Sequence, residues 1–189
     1  MQNLSDLPDD LPAPEDDGAA QHLPGTRLPD MDLPATDGRM VDLSALAGRT
    51  VLYIYPMTGQ PGTALPDGWD EIPGARGCTP QSCAFRDHFG ELKAAGATHV
   101  FGLSTQETGY QQEAADRLHL PFLLLSDARH DLGEALAIPE FSADGMRLYK
   151  RMALIIDDGV ITHCFYPVFP PDRNAGDVLE WLTGNPVPV

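Results

Sequence analysis

Basic residues are scarce in this sequence: 12 Lys and Arg stand against 28 Asp and Glu, for a net charge of −16. Nucleic-acid binding through phosphates needs clustered Lys and Arg, so that class of partner is excluded. Long apolar runs are also missing. None approaches the roughly 18–20 residues of a membrane-spanning helix, and no membrane partner is expected. The opening residues, MQNLSDLPDDLPAPEDDG, lack the basic and apolar segments of a secretory signal, so a cytoplasmic location is expected. Cysteine is sparse, with three in 189 residues, which excludes a disulfide scaffold. No CxxC or HxxxH lies near Cys78 and Cys83, so a zinc site lacks its usual spacing. No cofactor is expected.

What is present is enough apolar material, 42% of residues, for one domain with a real core. Residues 1–22 stand apart. They carry six acids and no Lys or Arg, and repeat the phrase DLP at Asp6–Pro8 and Asp10–Pro12. Such a segment buries too little to offset its ordering entropy, and a disordered tail is expected, with the folded domain at 23–189.

Within that domain, Asp37-Gly38 signals a hairpin. TVLYIYP, Thr50 to Pro56, reads as a strand buried on both faces. Met57 to Gly77 then holds five Gly and three Pro in 21 residues, an unusually long loop for a compact domain. A helix is expected over Pro80 to Ala95, with Thr79 as N-cap and Gly96 as its stop. Further strands are read at Thr98–Ser104 and Phe122–Asp127, and further helices at Glu107–Leu120 and His130–Ile138. A hairpin around Asp158-Gly159 joins Tyr149–Asp157 to Val160–Tyr166, and Asn174–Gly184 closes the chain as an amphipathic helix. This order predicts an α/β fold, a central mixed β-sheet flanked by helices.

Cys78 and Cys83 pose the chemical question. A metal site, a structural disulfide and a redox pair all use two cysteines. In an ideal helix, residues five apart differ by about 140° and about 7.5 Å along the axis. Their Cα atoms then lie roughly 8–9 Å apart, beyond the limit of about 7 Å for a disulfide. A bridge therefore requires the first helical turn to unwind. Cys78 directly precedes a helix start, where free N–H groups and the helix dipole favour a thiolate. Cys164 reads as a core thiol on a strand. Trp69, inside the long loop, must pack somewhere, as an anchor for the loop or as a cap on a nearby pocket.

The phrases YIYP…GCTPQSCAFRDHFGELKAAG, VFGLSTQ…FLLLSDARHDLGEALAI and RMALIIDDGVI together resemble the peroxiredoxin family. Within it they are similar to the atypical two-cysteine subgroup called bacterioferritin comigratory protein or peroxiredoxin Q. The resemblance runs from about Leu23 to Leu182. It implies a thioredoxin-like fold, a thiol-dependent peroxidase acting on hydrogen peroxide and alkyl hydroperoxides, a thioredoxin or similar dithiol as reductant, and a monomer. It assigns Cys78 as the peroxidatic cysteine and Cys83 as the resolving one. Arg151 matches the arginine facing the peroxidatic sulfur, and Pro56 the proline shielding the pocket. Two departures stand out. The Thr or Ser expected three residues before Cys78 is Ala75, and the short spacing from Pro56 to Cys78 is stretched to 21 residues. Thr58 is the expected replacement hydroxyl, with Thr63 as a second candidate. A thiol–disulfide oxidoreductase or a redox sensor on the same fold is the competing reading.

Overall fold

The computed structural model of the protein describes Leu4 and residues 7–187. A small hairpin comes first, β1 (Asp32–Pro34) against β2 (Met40–Asp42), turning at Asp37-Gly38 as expected. The core elements follow: β3 (Arg49–Ile54), α1 (Cys78–Asp87), α2 (Phe89–Ala94), β4 (His99–Ser104), α3 (Thr108–Leu118), β5 (Leu123–Ser126) and α4 (Asp131–Leu136). A second small hairpin, β6 (Glu140–Ala143) with β7 (Met146–Tyr149), precedes β8 (Met152–Asp157), β9 (Val160–Phe165) and α5 (Asn174–Gly184).

The main sheet has five strands in the order β5-β4-β3-β8-β9. β3, β4 and β5 run parallel, while β8 and β9 are antiparallel, so the sheet is mixed. Side chains of a strand alternate between faces. In β3 and just beyond it, Val51, Tyr53 and Tyr55 enter one core with Phe85, Leu92, Val178 and Leu182. Leu52 and Ile54 enter the opposite core with Leu103, Leu125, Leu154 and Tyr149. Both faces are covered, which is why β3 reads as an almost unbroken apolar run.

Three expectations are corrected. The first helix begins at Cys78, not Pro80, because Gly77 serves as its N-cap with φ 106° and Thr79 lies buried inside the first turn. It also gives way to a separate α2 beyond His88. The strand expected over Tyr149–Asp157 is broken: β7 ends at Tyr149, β8 starts at Met152, and the Lys150 amide donates to Pro139 O across the break (2.8 Å). Finally, the acidic segment lies against the domain where residues 7–22 are concerned. Ala20 is buried, and Asp17 accepts hydrogen bonds from Lys150 Nζ (2.6 Å) and Tyr166 Oη (2.7 Å). Those charged and hydroxyl donors hold the Asp17 carboxyl well below the usual carboxylate range. The part of the expectation that falls on residues 1–3, 5 and 6 lies outside the described residues.

The sheet centre should carry the stability. Leu52, paired in register with Leu154 and fully buried, should cost about 2–5 kcal/mol when changed to Ala. Met40→Ala, at a side chain 54% exposed, should change stability by no more than about 0.5 kcal/mol. Urea unfolding midpoints of the two variants check this, and equal shifts would contradict the assignment of the core.

Candidate active site

Gly77 sets the start of α1. Its left-handed φ suits glycine, and a Cβ there would stand 2.2 Å from Pro171 Cγ. The Gln81 amide donates to Gly77 O at 3.0 Å, which closes the first turn. Cys78 is thus the first helical residue, only 4% exposed, and its thiol donates to Ala75 O at 3.7 Å.

Arg151 arrives from the other side of the site. The antiparallel register pairs Ile54 with Met152, so the residue before Met152 falls at the carboxyl end of β3. The break between β7 and β8 leaves Arg151 outside both strands. Its side chain is 3% exposed. Nη2 donates to Cys78 Sγ at 3.3 Å and to Ala75 O and Arg76 O, each at 3.0 Å. Nε donates to Gly74 O at 3.3 Å. Nη1 donates to Gln81 Oε1, and Gln81 Nε2 donates in turn to Asn174 Oδ1 at 2.9 Å. A planar cation with fixed donor directions thereby joins the end of the long loop, the first turn of α1 and the start of α5.

The long loop has a small core of its own. Trp69 is buried with Ala75, Ala143 and Leu148, and its ring lies 6.1 Å from that of Phe141. Ala75 is fully buried in this cluster, which explains an apolar side chain where a hydroxyl was expected. Arg76 pairs with Asp70 of the same loop at 3.1 Å. Trp69 thus anchors the loop, and it also forms part of the wall of the crevice at Cys78. That crevice is very small, about 10 Å³, and Leu4, Met57, Leu65, Arg76 and Thr79 complete its walls with the glycines Gly59 and Gly77.

The other expected residues are placed differently. Thr58 is buried but committed to Gln106: its amide and Oγ1 donate to Gln106 Oε1 at 2.9 and 3.2 Å, and Gln106 Nε2 returns a bond to Thr58 O at 3.1 Å. Pro56 is buried just beyond β3, and Thr63 is exposed on the loop. None of the three is among the described residues lining the crevice, where Thr79 is the residue that carries a side-chain hydroxyl. Cys83 is half-buried on the unbroken helix α1, and burial pushes its thiol above its ordinary value. All three cysteines are free thiols. Cys164 lies on β9 against the sheet core, and burial pushes its thiol up to about 12, as suits an inert packing residue.

The profile of the redoxin family matches residues 23–179. Peroxiredoxin Bcp of Escherichia coli K12 is 33% identical over 163 residues, which cover 84% of this chain and 94% of that one. The chain belongs to the peroxiredoxin group of the redoxin family. It is also 34% identical over 161 residues to the chloroplastic peroxiredoxin Q of Oryza sativa subsp. japonica, matching 84% of its own length. It spans only 65% of the length of that relative. Among solved structures it resembles peroxidoxin BcpB from Mycobacterium tuberculosis, with TM-score 0.69 and 26% identity over 87% of this chain and 98% of the other. Peroxiredoxin Q of Xanthomonas campestris shares the fold at TM-score 0.65 and 24% identity, covering 84% and 95% of the two chains. The thioredoxin-like fold of that family is the one observed.

Gln81 and Asn174 escaped the reading of the sequence, although both are fully buried polar side chains holding Arg151 in place. A polar residue three positions into a helix that starts at a candidate nucleophile was the available signal. Changing Gln81 to Leu strands an Arg151 donor and the Asn174 carbonyl, at a cost of about 1–3 kcal/mol. A urea midpoint shift equivalent to less than about 0.5 kcal/mol would show that the network is not structural.

Proposed function

We propose that the chain is a thiol-dependent peroxidase that reduces hydrogen peroxide and organic hydroperoxides. The observation that carries this reading is the Arg151 guanidinium donating to Cys78 Sγ at the start of α1. Cys78, as thiolate, attacks the terminal oxygen of the peroxide. The O–O bond breaks, sulfur takes the hydroxyl as a sulfenic acid, and the departing oxygen leaves as alkoxide or hydroxide and gains a proton. Arg151 holds negative charge on sulfur before the reaction and on the departing oxygen during it. Among the described residues lining the crevice, Thr79 is the one that carries a side-chain hydroxyl, and it is assigned to orient the peroxide.

Resolution needs a change of shape. Cys78 and Cys83 lie five residues apart on one intact helix, a Cα separation of roughly 8–9 Å by helix geometry. The first turn of α1 must open before the Cys83 thiolate attacks the sulfenic sulfur. The S–O bond then breaks, water leaves, and a Cys78–Cys83 disulfide remains. An external dithiol reduces it by exchange. Resemblance to the peroxiredoxin Q subgroup supports thioredoxin in that role, and a monomer.

The test is hydrogen peroxide consumption coupled to thioredoxin, its reductase and NADPH. The native chain should turn over, and Cys78→Ser should lose all turnover. Cys83→Ser should form one sulfenate per chain and then stall. Turnover persisting in Cys78→Ser would overturn the assignment. A native chain that exchanges disulfides but ignores peroxide would favour the oxidoreductase reading.

A further inference from the structure

Gly77, the N-cap of α1, is covered by two side chains from opposite ends of the chain. A Cβ built on it would stand 2.9 Å from Leu7 Cδ2, and Pro171 Cγ is closer still. Pro171 belongs to the 3₁₀ turn that leads into α5, and Leu7 to the amino-terminal segment. Residues 7–23, all described, run from this contact back to the domain core as a strap. Pro14 packs on Gly74, with Cγ 3.5 Å from where a Cβ would stand, and Gly74 is a loop glycine whose carbonyl accepts from Arg151. Asp17 latches the strap to Lys150 Nζ and Tyr166 Oη. Beyond the latch, His22 Nε2 donates to Leu136 O at 2.8 Å, and Ala20 and Leu23 are buried in the sheet core. The strap is therefore fixed at one end, and at the other it reaches the start of α1 through one half-buried leucine.

That contact bears on one step. Opening the first turn of α1 parts the Gln81 amide from Gly77 O and Cys78 Sγ from Arg151. Gly77, with its left-handed φ of 106°, is the pivot of that movement. Turning its backbone draws it away from Leu7 and Pro171. Their packing is lost in the opened form and so favours the closed one. A contact made by a half-buried side chain is weak enough to be broken locally, without unfolding the domain.

We propose that Leu7, held by the Asp17 latch, is a positioning residue for resolution: it clamps Gly77, keeps the first turn of α1 closed, and slows the attack of Cys83 on oxidised Cys78. The proposal rests on the peroxidase reading. A sulfenate that waits longer for Cys83 meets a second peroxide more often. The O–O bond of that peroxide breaks, sulfur takes one oxygen to become a sulfinic acid, and the other oxygen leaves as water or alcohol. The clamp thus sets the peroxide concentration at which the site is lost to overoxidation.

The test uses full-length chains carrying Leu7→Ala or Asp17→Ala. Hydrogen–deuterium exchange of the reduced chains needs no peroxide. In Leu7→Ala, peptides covering Gly77 to Ser82 should exchange about fivefold faster, the effect of losing roughly half the burial of a leucine, with β3 peptides unchanged. Asp17→Ala should move the same peptides in the same direction. With hydrogen peroxide, rapid acid quench and mass spectrometry separate sulfenate, disulfide and sulfinate. Disulfide formation in Leu7→Ala should speed up about fivefold while sulfenate formation changes less than about twofold. The hydrogen peroxide concentration that leaves half of Cys78 as sulfinic acid should rise by the same factor. If sulfenate forms and disulfide formation moves by less than about twofold, the clamp proposal fails. It fails also if exchange at Gly77 to Ser82 does not rise, or rises equally in β3, and an unchanged Asp17→Ala would overturn the role of the latch. If no sulfenate forms but exchange rises at the start of α1 alone, the clamp stands and it is the peroxidase reading that fails.

Discussion

A guanidinium shut away from water needs an acceptor for its N–H groups, because an unpartnered buried cation is very costly. Arg151 finds its acceptors in the carbonyls of Gly74, Ala75 and Arg76, in Gln81 and in the sulfur of Cys78. That requirement fixes the end of a long loop, the first turn of a helix and the nucleophile relative to one another. The β3–β8 register brings the arginine to the place, and the break before β8 frees its backbone from the sheet. In the proposed reaction the same donor that satisfies the loop also meets the charge developing on a peroxide oxygen. Structure and chemistry draw on one group.

The long loop between Pro56 and Cys78 fits this scheme at modest cost. Loop-closure entropy grows only slowly with length, about 0.6 kcal/mol per doubling. Trp69, Ala75, Ala143 and Leu148 give the insertion a packed core, and the Asp70–Arg76 pair ties it internally. The insertion leaves buried Ala75 where a hydroxyl was expected, and it contributes Leu65 and Trp69 to the wall of the crevice at Cys78. The proposed peroxidase chemistry sets two demands that conflict: a crevice that orients the peroxide, and a first helical turn that opens to reach Cys83.

Much of this was legible in the sequence, for physical reasons. β3, β4 and β5 are buried runs whose apolar character does not depend on their partners, and Asp37-Gly38 and Asp158-Gly159 favour the turns observed at those places. Cys78 as a helix-start thiol followed from local chemistry, while the role of Arg151 was visible only through family resemblance. The β6–β7 hairpin was missed although Asp144-Gly145 signals its turn, because its strands are short and only partly apolar. The start of α1 was misread because a left-handed glycine, not a hydroxyl, caps it. Thr58 was misplaced because its partner, Gln106, is 48 residues away. Gln81 and Asn174 were missed for the same reason: they meet across 93 residues. Composition predicted a loose acidic tail, and it could not reveal a latch whose partners, Lys150 and Tyr166, lie at the far end of the chain.

The central claim is that the forked guanidinium of Arg151 both builds the site and stabilises the reacting oxygens. Its most direct test is the second-order rate constant for hydrogen peroxide with Cys78, followed by stopped flow in chains carrying Arg151 or Arg151→Lys. Lysine keeps the charge but not the fork, and the rate should fall about 10²–10³-fold, as when a preorganised donor to a developing oxyanion is lost. A fall of less than about threefold, in a variant whose thermal unfolding remains cooperative, would contradict the account.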